Sequence, residues 1–166
     1  MSGPHGKRFF SLLVSAVLWV TCCAAPTTRP EKGAAIAVWD LENLSPSPTA
    51  QPDLGEILSG QIIETLKKKG DYLVVERRRL LLALEELHLG STALADESTR
   101  LRLGRLVGAR WMIFGGYLAV GGEMRLDLRL VEVETGKVTR AVEKTTSSRD
   151  LSDWMAATRK ATEELL

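Results

Sequence analysis

Arg110–Lys137, RWMIFGGYLAVGGEMRLDLRLVEVETGK, carries the strongest pattern in the sequence. It reads as two long strands joined by a tight turn. Arg125, Asp127 and Arg129 alternate with Leu126, Leu128 and Leu130. A period of two puts the leucines on one face of a sheet and the charges on the other. Gly121-Gly122 supplies the positive φ that a two-residue hairpin loop needs. After Leu130 the alternation slips, because Val131 and Val133 have the opposite parity. The slip predicts a bulge near Leu130-Val131 or a strand end buried on both faces. Glu134–Lys137 reads as a turn with Gly136 in the left-handed position, and Val138–Thr145 as a charged edge strand.

A sheet with one leucine face needs helices to cover it, and the chain supplies four. Ala34–Leu41 is an apolar run of strand length, followed by a proline-containing loop, LENLSPSPTAQPD. Asp53, answered by Glu56, caps a helix that ends at Gly70 and turns Leu54, Ile57, Leu58, Ile62 and Leu66 inward. Lys67, Lys68 and Lys69 stand at its carboxyl end, where the helix dipole favours cations. Tyr72–Glu76 is a short strand. Arg77–Leu89 is a helix with Leu81, Leu84 and Leu87 or His88 on its buried side, stopped by Gly90. A third helix runs from near Asp96 to Val107 with a stripe of Leu103, Leu106 and Val107; Gly104 within it marks a close backbone approach, and Gly108 stops it. Asp150 or Ser152 caps a last helix, whose face is Leu151, Trp154, Met155, Thr158, Ala161 and Leu165. The order β-α-β-α-α-β-β-β-α predicts an α/β (α+β) sandwich, helices packed on a mostly antiparallel sheet.

Reaction chemistry is hard to find in this pattern. The two histidines are His5 and His88, and no HExxH, GxSxG or phosphate-loop motif is present. No helix follows the glycines at 115, 116, 121 and 122, so they do not form a dinucleotide fingerprint. Asp40 and Glu42, at the end of the first strand, are the best carboxylate pair, but they have no histidine beside them in sequence; solvated strand-end carboxylates are the expectation. No catalytic residue, cofactor site or metal site is assigned. The formal net charge of +1 argues against a nucleic-acid partner, and the arginines at 77–79, 100, 102, 105 and 110 read as solvated helix faces.

The first 25 residues read as a secretory signal. Lys7 and Arg8 precede a twelve-residue apolar run, Phe9–Val20, that is short for a membrane span. Val20-Thr21-Cys22-Cys23 then resembles a bacterial lipobox, with Cys23 preferred to Cys22 as the acylated residue; ordinary cleavage after Ala24 or Ala25 is the alternative. Residues 26–33 read as a tether and residues 34–166 as a single domain. No other cysteine exists to build a disulfide framework or a cysteine metal site.

Five strings carry a family resemblance: AVWDLEN, LGEILSGQIIETL, YLVVERRRLLLALEELHL, LGRLVGARWMIFGGY and LRLVEVETGKV. Together they resemble the curli-secretion lipoprotein family (CsgG-like), whose domain is similar to those of the flagellar lipoprotein FlgO, the lipoprotein activators of penicillin-binding proteins and TolB-like amino-terminal modules. The resemblance covers residues 34 to about 146. It implies a non-enzymatic lipoprotein in the periplasm, anchored to the outer membrane, that scaffolds or assists assembly of an envelope or secretion complex. Activation of a peptidoglycan synthase and soluble ligand sensing are the alternatives. The partners so implied are secretion, flagellar or peptidoglycan-synthesis components and the membrane through a lipid anchor, with homo-oligomerisation open. One departure matters. A spanning hairpin needs upwards of about 20 extra residues, and the longest irregular loops, Ser45–Pro52 and Ser91–Ala95, are too short for one. The pore-forming part is therefore expected to be missing.

Overall fold

The computed structural model describes residues 29–46, 54–86, 96–147 and 150–166. In chain order these form β1 (Ala35–Val38), β2 (Glu42–Asn43), α1 (Leu54–Lys69), β3 (Leu73–Val74), α2 (Arg77–Glu86), α3 (Glu97–Leu106), β4 (Trp111–Val120), β5 (Glu123–Glu132), β6 (Val138–Thr146) and α4 (Leu151–Leu165). The expected hairpin is the spine. β4 and β5 pair antiparallel from Trp111↔Glu132 to Val120↔Glu123, and Gly121 and Gly122 turn the corner at φ of 63° and 92°. β6 continues the ladder, and its register shifts between Leu130 and Val131, where the alternation slips. Val131 and Val133 are buried on the face opposite Leu126, Leu128 and Leu130, so the slip carries both a bulge and burial on both sides.

The open six-stranded sheet has the order β3-β1-β4-β5-β6, with β2 also on β4. β6 is an edge, as its charges foretell. The sheet is mixed: the long β4–β5–β6 ladder is antiparallel, and β1, β2 and β3 add short parallel pairings. The element order corrects the expectation at one point. Glu42–Asn43, read as loop, is a strand whose Cα partners on β4 are Gly116 and Tyr117.

Helices cover both faces. α1 and α4 bury Leu58, Ile62, Trp154 and Leu165 against Trp111, Ile113, Leu126 and Leu128. On the other face α2 and α3 bury Leu80, Leu84, Leu101 and Leu103 against Met112, Phe114, Val131 and Val133. Within the helices two inward assignments are wrong. Ile57 and Leu106 are exposed, at 39% and 58%. α1 rests on Gly55, and at about 100° per residue Ile57 points almost directly away from it. α3 rests on Gly104, where an added Cβ would stand 2.6 Å from Met112 Sδ. That close approach is the expected one, and it turns Leu101, Leu103 and Val107 inward at the expense of Leu106. In α2 burial centres on Leu80, Ala83 and Leu84, with Leu81 at its margin. Asp53, Leu87, His88 and Gly90 lie outside the described residues.

The strands define two ends. β1, β3, β4 and β6 run from a lower end, where residues 29–33 join the domain, to an upper end bearing the Gly121-Gly122 turn. α1 starts at the upper end against Leu41 and finishes below at Gly70. α3 reaches the upper rim through Arg100, which pairs with Glu42, and ends below at Ala109 and Arg110, whose N–H bonds the Ala35 carbonyl.

Candidate functional site

The upper rim is built by a break in the first strand. Trp39 still donates its N–H to the Ile113 carbonyl at 3.0 Å, and Leu44 resumes with Tyr117 at 2.8 Å. Between them the chain steps off the β4 edge and loses its ladder partners. Ser59 of α1 takes over: its Oγ accepts the Leu41 N–H at 2.9 Å and lies 2.7 Å from the Gly55 carbonyl, to which it donates. A buried N–H left unpaired would cost about 1–3 kcal/mol. Two glycines of β4 make room for the step. A Cβ at Gly115 would stand 3.0 Å from Leu41 Cδ2, and one at Gly116 would stand 2.8 Å from Leu44 Cδ1. Leu41 thus enters the core, while Leu44 stays 55% exposed on the opposite face.

The two carboxylates that the sequence singles out both lie on this rim. The structure does not set them up as an acid–base pair. Asp40 accepts two bonds from Arg77 of α2, from Nε at 3.0 Å and Nη2 at 2.9 Å, and Arg77 Nη1 reaches Glu56 at 3.0 Å. The Asp40 bond is the chief reason that the Arg77 pKa is raised. Glu42 is ion-paired to Arg100 of α3, whose guanidinium lies 5.6 Å from the centre of the Trp39 ring. Expected as solvated, Arg77 and Arg100 are instead 34% and 15% exposed at the side chain and pin α2 and α3 to the end of β1. A two-pronged Arg–carboxylate contact orients as well as attracts. Val38, Trp39, Asp40, Arg77, Leu80 and Leu81 line a crevice here with room for about one water molecule. It is too small for a substrate.

Beside the rim, part of the sheet has no helix over it. α2 and α3 cover β1 and the lower parts of β4 and β5. Higher up, the same face carries Leu118 and Val120, the latter 52% exposed, with Leu44 at its margin. Arg125 crosses this face to Asp127 and Glu143, both at 2.9 Å. Apolar side chains framed by ion-paired charges are the composition of a protein-binding patch. Sequence reasoning finds the charged alternation of β5 but not the patch, because what bares it is the placement of α2 and α3. Among the described residues no group of three His, Cys, Asp or Glu side chains could hold a metal ion. Cys22, Cys23 and both histidines lie outside the described residues.

A model of the family described as curli production assembly/transport component CsgG matches residues 22–122. No curated protein matches the sequence. Among solved structures, the LpoB C-terminal domain from Escherichia coli superposes with a TM-score of 0.63 at 18% identity, over 73% of this chain and 87% of that one. The PelC dodecamer from Paraburkholderia phytofirmans gives 0.52 at 16% identity, over 84% and 89%. Lipoprotein GNA1162 from Neisseria meningitidis gives 0.53 at 15% identity, over 74% and 91%. At these identities the likeness is one of fold.

Proposed function

The chain belongs to the family of the curli production assembly/transport component CsgG, and on that premise we propose that it is a non-enzymatic periplasmic lipoprotein that scaffolds or assists assembly of an envelope complex. Residues 1–25 are its signal, Cys23 or Cys22 carries the lipid that anchors it to the outer membrane, residues 26–33 are the tether and residues 34–166 the domain. The observation that carries this reading is the family match, which begins at Cys22 and runs through the hairpin turn. The fold likeness to a lipoprotein, GNA1162, supports the anchor. The likeness to a PelC dodecamer supports assembly into larger bodies in general terms.

The upper rim and the bare sheet face supply the contact surface. The carboxylates of Asp40 and Glu42 tie α2 and α3 through Arg77 and Arg100 to the rim beside a patch of Leu44, Leu118 and Val120. A rigid patch binds without paying ordering entropy at the moment of contact. Affinity capture after crosslinking in the native cell tests the reading. Secretion or flagellar components bound to the protein support it. A peptidoglycan synthase instead assigns the protein to the activator class, and recovery of the protein alone leaves a soluble ligand-sensing module.

A further inference from the structure

The formal net charge of +1 conceals a separation. Because α1 and α3 both return from the upper end to the lower, their dipoles point the same way, favouring acids above and cations below. Glu56 stands in the first turn of α1 at the upper end, and Asp96 and Glu97 stand before and in the first turn of α3. Lys67 and Lys68 close α1 at the lower end, and Arg105 closes α3. Lys32 precedes β1, and Lys137 completes the turn between β5 and β6.

Of the acids at the lower end, Glu134 is exposed beside Arg105 and Arg110, and three others have partners. Asp71 is held by Lys32 at 3.2 Å, Glu31 by Arg110 at 3.3 Å, and Glu132 accepts the Thr135 hydroxyl at 2.8 Å. Among the described residues no ion pair holds Lys67, Lys68, Arg105 or Lys137, and all four are exposed. Three apolar side chains stand exposed in the same region: Leu73 at 65%, Leu106 at 58% and Val138 at 42%. Cations interleaved with exposed leucine and valine form the composition of a surface that rests at a lipid interface.

Where the chain comes in fixes which surface this end meets. Residues 29–33 lie at the lower end, and Cys23 is six residues before Arg29. Six residues reach at most about 20 Å. Charges act across a Debye length of about 8 Å, so a lipid on Cys23 leaves the lower end free to come within that distance of the headgroups, and the cations supply the attraction that brings it there. We propose that the lower end of the domain docks on anionic phospholipid headgroups, so that the anchor and the domain bind one membrane and the upper rim points away from it. This rests on the lipoprotein reading above for the anchor, but not for the docking itself.

The test uses the full, acylated chain in vesicles of phosphatidylcholine alone and of phosphatidylcholine with phosphatidylglycerol. Acetylation of Lys67 and Lys68 by a water-soluble reagent is followed by mass spectrometry, with Lys160, exposed beside Thr146 toward the upper end, as reference. Acetylation of Lys67 and Lys68 should be about fivefold slower in the phosphatidylglycerol vesicles. High salt, or the double variant R105E/K137E, should abolish the difference, and Lys160 should react alike throughout. Equal rates in the two vesicle types would overturn the docking. So would a slowing that follows protein concentration in either type, which would mean that the acidic end of a second copy covers the lysines. Failure of the chain to stay with phosphatidylcholine vesicles would count against the lipid anchor alone, since the phosphatidylglycerol arm still decides the docking.

Discussion

Gly55 sits so close beneath Leu41 that a Cβ on it would stand 2.3 Å from the Leu41 carbonyl oxygen. The contact is backbone against backbone, so no side chain can swing aside. It sets the distance between α1 and the broken strand, and it lets Ser59, one turn on, reach the Leu41 N–H.

Gly55→Ala should therefore destabilise the fold by about 1–3 kcal/mol through overpacking. Ser59→Ala should cost a similar amount for a different reason, an orphaned buried N–H. Urea melts measure both. Because the two act on one joint, the double variant should lose less than the sum of the single losses. Full additivity would show that Gly55 and Ser59 do not cooperate.

Leu128 is 1% exposed in the leucine face of β5, and Arg129 beside it points outward and is exposed. Leu128→Ala should cost about 2–5 kcal/mol, a large share of the about 5–15 kcal/mol a domain has. Arg129→Ala should stay within about half a kcal/mol. The same melts compare them. An Arg129→Ala variant that loses more than Leu128→Ala would mean that the charged face is covered by a partner or a second copy.

Asp96 caps α3, and its carboxyl accepts the Thr99 N–H at 2.8 Å and the Ser98 hydroxyl at 3.0 Å. Hydrogen bonds from Thr99, then from Ser98, hold its pKa below the usual carboxylate value of 3.8. A carboxylate with a depressed folded pKa adds stability above its unfolded pKa and loses it as pH falls through the folded one. Asp96→Ala should thus be less stable than the parent at neutral pH, and the gap should narrow below about pH 3.8. Thermal melts across pH would show this; a gap that widens on acidification contradicts the cap.

Protein taken from its native membrane should begin with an acylated cysteine, Cys23 in preference to Cys22. Intact-mass analysis reads this directly. An unmodified start at Ala25 or Pro26 rules out the anchor.

Features set by neighbours in sequence were legible in advance. The hairpin, its glycine turn, the bulge after Leu130, the Gly104 approach and the Asp150 cap each depend on a few adjacent residues. Features set by distant partners were not. β2 depends on Gly116 and Tyr117, on a strand far along the chain. Ile57 and Leu106 were misplaced because Gly55 and Gly104, not the largest side chains, choose which line of each helix touches the sheet. The rim was half visible. Asp40 and Glu42 stood out in sequence, but their arginines come from helices that the fold alone brings beside them.

On this reading the upper rim meets an envelope partner while the lower end faces the membrane. Photo-crosslinking residues placed one at a time at Leu44, Val120 and Lys68 in the living cell test it most directly. Leu44 and Val120 should crosslink to one envelope protein, and Lys68 to lipid or to nothing. Protein crosslinks from Lys68 alone, with Leu44 and Val120 silent, would contradict it.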